Sequence, residues 1–103
     1  MSAQDRCCSI VPYFKIHHDQ LGAFKQLCER LVEKTSSEPK FLYYGFCFND
    51  NLAHCREGYA DATGVLSHLE NVSSLLEEAL QISDLVRLEI HGPEAELHKL
   101  RSP

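Results

Sequence analysis

The paired segments FLYYGFCF (41–48) and LAHCREGY (52–59) constrain this chain more than any other part of it. The first is dense in aromatic residues, which favour strands. The Asn49-Asp50-Asn51 run between the two segments is a hairpin signal. A two-residue turn at Asp50-Asn51 places Tyr44 opposite Glu57 and Leu42 opposite Tyr59; a slip of one residue would set Tyr44 beside Arg56 instead. In either register Glu57 and Tyr59 share a face and Arg56 points to the other. Leu42, Tyr44, Phe46 and Phe48 fill one face of the first strand, and Phe41, Tyr43 and Cys47 sit on its reverse. An antiparallel sheet with one wet face alternates apolar and polar residues, so two apolar faces predict that both are covered. Helices account for one cover. The sheet of a second copy is the simplest source of the other, which predicts a homodimer.

The flanking segments complete a pattern. CCSIVPYFKI (7–16) reads as a strand in which Pro12 marks interrupted pairing. Asp19 then suits the N-cap of a helix whose Leu21, Phe24, Cys28, Leu31, Val32 and Thr35 recur at spacings of three and four, ended by Pro39. Asp61 suits the cap of a second helix, with Val65, Leu69 and Val72 on one side. Ser74 and Glu77 have capping-box spacing at the start of SSLLEEALQ. DLVRLEIHG (84–92) alternates strictly, with Val86, Leu88 and Ile90 on one face and Arg87, Glu89 and His91 on the other. Gly92-Pro93 breaks that strand before a short closing helix, PEAELHKL. The order β-α-β-β-α-β-(α) is the ferredoxin-like α+β arrangement with an antiparallel sheet and a short C-terminal helix. It forms one domain over 1–103, with its core at about 8–100.

Composition narrows the function. The 103 residues carry a formal charge of -5, and no Lys/Arg run exceeds two residues. Phosphate recognition needs clustered positive charge, so nucleic acid is not an expected partner. No segment has the length of apolar residues that a membrane helix needs, and the opening MSAQDRCCSIV lacks the form of a signal peptide. Of the five Cys, Cys7 and Cys8 are adjacent and Cys28, Cys47 and Cys55 are scattered, with no CxxC pair, which predicts free thiols in a reducing, cytoplasmic setting and no zinc or thioredoxin-type site. Nucleotide-binding, nucleophile-elbow and zinc-protease motifs are likewise missing.

Chemistry concentrates on the hairpin and the helix after it. His68 lies three residues from Val65 and four from Val72, on the flank of the apolar stripe that packs on the sheet. Glu57, Tyr59, Tyr44 and His68 therefore converge on the helix-covered side. An imidazole titrates near neutrality, a half-buried carboxylate is raised toward it, and a phenol holds a developing oxyanion. Such a set suits proton transfer. The competing reading is a satisfied polar pair that fixes strand to helix. Arg56, Arg87, His54 and His91 fall on the partner-facing or solvent side. Cys55, on the same strand face as Glu57, reads as an inert buried thiol.

With these residues in place, the order of elements, the REGY-ADATGVLSHL stretch and the strand VRLEIHG resemble the antibiotic-biosynthesis-monooxygenase-like (ABM) domains of the dimeric α+β barrel superfamily. The resemblance runs from about Cys8 to Leu100 and includes the Glu-x-aromatic of the third strand, here Glu57-Gly58-Tyr59, and the His68-Leu69 pair. It implies a homodimer paired through its sheet, with a pocket in each protomer for a small aromatic or hydrophobic molecule. It also implies oxygenation without metal or flavin, in which a deprotonated substrate reduces dioxygen directly. In that scheme His68 is the base or its relay, Glu57 orients it, and Tyr44 or Tyr59 holds the substrate oxygen, with Tyr44, Tyr59, Phe46 and Leu69 as the expected substrate contacts. The chain departs from the family in having no Trp at the aromatic position. It also lacks the helix His and first-strand Asn of the haem-degrading branch, Glu78 standing near the place of that His. A proton-transfer isomerase and a non-catalytic module for small-molecule binding or stress response are the alternatives on the same fold.

Overall fold

The strand Cys8–Ile16 (β1) alternates buried and more open positions along its length, so one face carries Cys8, Ile10, Pro12, Phe14 and Ile16 into the core. In a computed structural model that describes residues 5–101, this strand is central to a four-stranded antiparallel sheet of order β2-β3-β1-β4. The other strands are Phe41–Asn49 (β2), Leu52–Tyr59 (β3) and Ser83–His91 (β4). Helices Leu21–Thr35 (α1), Ala62–Asn71 (α2), Ser73–Gln81 (α3) and Glu94–Leu100 (α4) complete the chain. The expected ferredoxin-like α+β arrangement is present, with the second crossover helix divided into α2 and α3 at Val72. Residues 1–4 and 102–103 of the expected domain lie outside the described residues.

The β2–β3 turn sets Asn49 opposite Leu52 and Tyr44 opposite Glu57, as the two-residue turn predicts. Asp50 accommodates it with φ of 53°. Leu42 does not face Tyr59. The register shifts between Phe41 and Tyr43, so Phe41 takes that place and Leu42 is the extra residue of a bulge. A second shift lies between Tyr13 and Phe14 and leaves Val86 unpaired between Leu85 and Arg87, which breaks the strict alternation expected of β4. Both irregularities fall on edge strands. At Pro12 the pairing of β1 with β3 lapses over Val11 and Pro12 and resumes in register at Tyr13, where a backbone donor is again available.

Three helix expectations need correction. Asp19 is not the cap of α1: it adopts φ of 61°, Gln20 occupies the cap position, and no side chain bonds there. Val32 is exposed, and Leu27 takes its place in the core face. Ser74 and Glu77 form no capping box, because Val72 occupies the cap position and Ser74 already lies inside the first turn of α3. Asp61 does cap α2, its Oδ1 accepting from the Gly64 amide at 3.0 Å while Oδ2 accepts from Lys40 Nζ at 2.8 Å. The Lys40 ammonium and the Gly64 amide hold its carboxyl below the usual range. Helix α4 supports the same end of α2: the buried Glu96 accepts from the Ala62 amide at 3.0 Å.

The core divides in two. Phe14, Phe24, Leu27, Leu31, Leu75 and Ala79 belong to the larger cluster, while Cys8, Ile10, Tyr59, Ala62 and Val65 form the smaller. Edge strand β4 stays thinly covered, with Leu85, Val86, Leu88 and Ile90 exposed. No helix among the described residues is long and apolar enough to cross a membrane.

Candidate active site

His68 is delivered to the sheet by two local devices. The Asp61 cap fixes the start of α2, and Val65 and Val72, both buried on either side of His68, turn its face inward. The imidazole is consequently only 2% exposed. It lies against the rings of Tyr59 and Tyr44, at centroid separations of 4.9 and 5.3 Å.

Each ring nitrogen meets a carboxylate. Nε2 is 3.4 Å from Glu57 Oε1, and Nδ1 is 2.9 and 3.2 Å from the two oxygens of Glu38. Glu57 also accepts from the Tyr59 hydroxyl at 2.7 Å. Glu38 accepts from Asn71 Nδ2 at 2.8 Å. Burial pushes the Glu57 carboxyl up, against the opposing effects of the Tyr59 hydroxyl and of His68. Burial likewise raises Tyr44, Tyr59 and Cys55, so the phenols stay protonated donors and the Cys55 thiol is not a nucleophile. Cys28, nearby in the core, is pushed up to about 12 by burial.

A cavity of about 160 Å³ opens beside this network, between the sheet and α1, α2 and α3. It occupies the place where the two core clusters fail to meet, bordered by Ile10 from one and by Phe14, Phe24 and Ala79 from the other. Glu57, His68, Tyr44 and Cys55 supply its polar groups. Nearly everything else is aliphatic or phenyl, and Leu80, Leu85 and Leu88 border it near β4. An apolar wall around His68 and Glu57 lowers the local dielectric and strengthens electrostatic interactions between them.

Of the residues singled out from sequence, His68, Glu57, Tyr44, Phe46 and Leu69 all border this cavity. Tyr59 does not. It is fully buried behind the cavity wall, where its hydroxyl bonds Glu57 and its ring lies against His68. On the opposite sheet face, Arg87 is bonded to Glu89 and His54 stacks on Tyr13 at 5.3 Å, while Arg56 is exposed. Sequence reasoning missed Glu38 and Asn71. Glu38 lies 30 positions from His68 in the loop before β2, and its one local mark is the following Pro39. Among the described residues no group of three or more His, Cys, Asp or Glu side chains is arranged to hold a metal ion. Glu38 and Glu57 engage opposite nitrogens of His68 and do not converge on one point.

No family model and no curated protein matches the sequence. Solved structures do. MupZ from Pseudomonas fluorescens superposes with a TM-score of 0.92 at 52% identity, over 96% of this chain and 82% of that one. The chain belongs to the MupZ family. Identity at that level over nearly the whole sequence makes MupZ a relative as well as a structural match. The MupZ-family fold extends to more distant proteins. A candidate antibiotic biosynthesis monooxygenase from Nitrosomonas europaea matches at TM-score 0.79 and 15% identity, over 91% of this chain and 96% of that one. SnoaB, a cofactor-independent oxygenase from Streptomyces nogalater, matches at 0.75 and 13%, over 86% and 94%. The expected ABM-like fold is therefore shared, while reaction and substrate are separate questions at such identities.

Proposed function

We propose that this chain is an acid–base enzyme acting on a small, largely apolar molecule that carries an oxygen function, with His68 and Glu57 moving the proton. One observation carries the reading: a buried imidazole, held between two carboxylates, faces an apolar cavity beside a phenol. In the proposed step His68 Nε2 takes a proton from a carbon next to the substrate oxygen. The Tyr44 hydroxyl donates to the oxyanion that develops, and Glu57, disposed by burial to hold a proton, returns it. If dioxygen intercepts the carbanion, the substrate supplies the electrons and the resulting hydroperoxide loses water to leave one oxygen atom as a carbonyl. The reaction is then a cofactor-independent monooxygenation of an aromatic or quinol-type substrate, a reading that the resemblance to SnoaB supports. If it does not, the same residues perform an isomerisation. Oxygen uptake with a panel of quinols and anthrone-like compounds separates the two. A protein that binds such compounds without turning any over, with or without oxygen, is the binding module of the alternative reading.

The working unit in this proposal is a homodimer formed through the sheet, in the reducing setting of the cytoplasm. Among the described residues no element covers the sheet face opposite the helices, which presents the exposed Tyr43 together with Tyr13 and His54. The Tyr43 side chain lies against Gly58, where a Cβ would collide with its ring, so this aromatic sits close to the sheet surface. The cytoplasmic placement rests on the five free cysteines.

A further inference from the structure

We infer that Glu38 is a positioning residue: it holds the proton of His68 on Nδ1 and so leaves Nε2 as the nitrogen that exchanges protons with Glu57 and the cavity. The inference rests on the acid–base reading for its functional meaning, but its geometry stands without it.

The two sides of the imidazole are unequal. Glu38 reaches Nδ1 with both oxygens, at 2.9 and 3.2 Å, whereas Glu57 stands 3.4 Å from Nε2. The role of Glu38 as acceptor is fixed by a third residue. Asn71 lies one turn after His68 on α2, and its side-chain nitrogen faces two oxygens, Glu38 Oε2 at 2.8 Å and the Lys34 carbonyl at 3.3 Å. A carbonyl can only accept, so the Asn71 group pointing there is its NH2, and the same NH2 donates to Glu38. The carboxylate oxygen receiving Asn71 is also the one nearest Nδ1, and an acceptor of that kind calls for a protonated Nδ1.

Glu38 is itself held. It follows the last turn of α1, its amide donates to the Thr35 carbonyl at 3.0 Å, and Pro39 restricts its backbone from the other side. Its side chain is 9% exposed, so water competes weakly for the bond. The rings of Tyr44 and Tyr59 pack against it in tilted contacts, and among the described residues no titratable side chain other than Glu38 and Glu57 meets its nitrogens. A buried carboxylate that fixes one nitrogen of a histidine, while the other does the chemistry, is a recurring way to hold an imidazole in one tautomer.

The test is long-range 1H–15N NMR of the substrate-free protein, with the His68 resonances assigned by their loss in His68→Gln. As pH is raised, the wild-type nitrogen that becomes unprotonated should be Nε2, with Nδ1 keeping its proton. In Glu38→Ala the Nδ1-protonated form should fall from the major to the minor species. Asn71→Ala should shift the ratio in the same direction by less. Glu38→Gln guards against a folding defect, since its amide oxygen can still accept from Nδ1 and should keep the wild-type tautomer in a folded protein. Deprotonation at Nδ1 in the wild type, or an unchanged tautomer in folded Glu38→Ala, would overturn the assignment. Because no turnover is read, failure here is distinct from failure of the proposed reaction. That reaction would still be judged by the activity of His68 and Glu57 variants.

Discussion

The Tyr59 hydroxyl donates to Glu57 Oε1 at 2.7 Å, within one strand and wholly inside the protein. Two residues apart on β3, both side chains project to the same face, and the bond gives a buried carboxylate one of the donors it needs. Replacing Tyr59 by Phe removes the donor and leaves the ring. The expected cost is about 1–3 kcal/mol, the range for a buried polar group left short of a partner. Urea denaturation should show a lower midpoint with an unchanged slope. An unchanged midpoint would mean that Glu57 finds another donor.

Glu57 should also leave a signature in the pH dependence of stability. Its carboxyl is raised in the folded protein above the ordinary 4.5. Between those two values the folded state binds more protons than the unfolded state, so this group's contribution to stability falls as pH rises. Glu57→Gln removes that contribution. The stability of the variant relative to wild type should thus improve as pH rises above the ordinary 4.5, until the folded carboxyl has itself ionised. A difference that is flat, or moves the other way, would show that Glu57 is ionised as readily inside the fold as outside it.

Asp61 has the opposite sign. Its carboxyl is held low by Lys40 and the Gly64 amide, so its stabilising effect is present at neutral pH and is lost as the solution is acidified through the folded value. Asp61→Ala should cost about 0.5–2 kcal/mol at neutral pH, as for other lost N-caps, and less in acid. Amide hydrogen exchange should quicken first in the opening turn of α2. Protection there equal to wild type would assign the cap to Glu96 and α4 instead.

Filling the cavity should separate binding from folding. Ala79 is buried on α3 and borders the cavity, so Ala79→Leu places three added carbons in or beside it. Small phenols should bind at least about tenfold more weakly, equivalent to roughly 1.4 kcal/mol, while circular dichroism stays that of the wild type. Undiminished binding would place the ligand site elsewhere.

A sheet-paired homodimer should sediment as a single species of twice the protomer mass at micromolar concentration. Tyr43→Arg, which puts a charge on the uncovered face, should return it to the protomer. A wild-type protomer under those conditions would contradict the proposed assembly.

The element order, the hairpin turn and the facing of Tyr44 and Glu57 were all legible in the sequence, because each depends on local chemistry: alternation, turn residues and a two-residue loop. His68 was legible through its spacing from Val65 and Val72. The bulges at Leu42 and Val86 were not, since an inserted residue obeys the edge geometry of the sheet and has no residue-type mark. Asp19 misled for a related reason: Asp suits both a cap and a left-handed turn, and here the turn prevailed. Glu38 was hidden by distance along the chain. A loop carboxylate has no periodicity, and only the packing of α2 across the end of α1 brings it to His68. The cavity was hidden as well, because a gap between two core clusters belongs to their packing and to no single segment.

The most direct test of the proposed acid–base role is solvent exchange at a substrate carbon. Quinols, anthrone-like compounds and small ketones incubated with the protein in D2O, with and without oxygen, report proton abstraction by NMR whether or not oxygenation follows. The account predicts deuterium entering next to the oxygen function with the wild type, and a loss of about 10²–10⁴-fold in rate for folded His68→Gln and Glu57→Gln. Exchange that proceeds undiminished in both variants, or no exchange with any compound that the cavity binds, would contradict it.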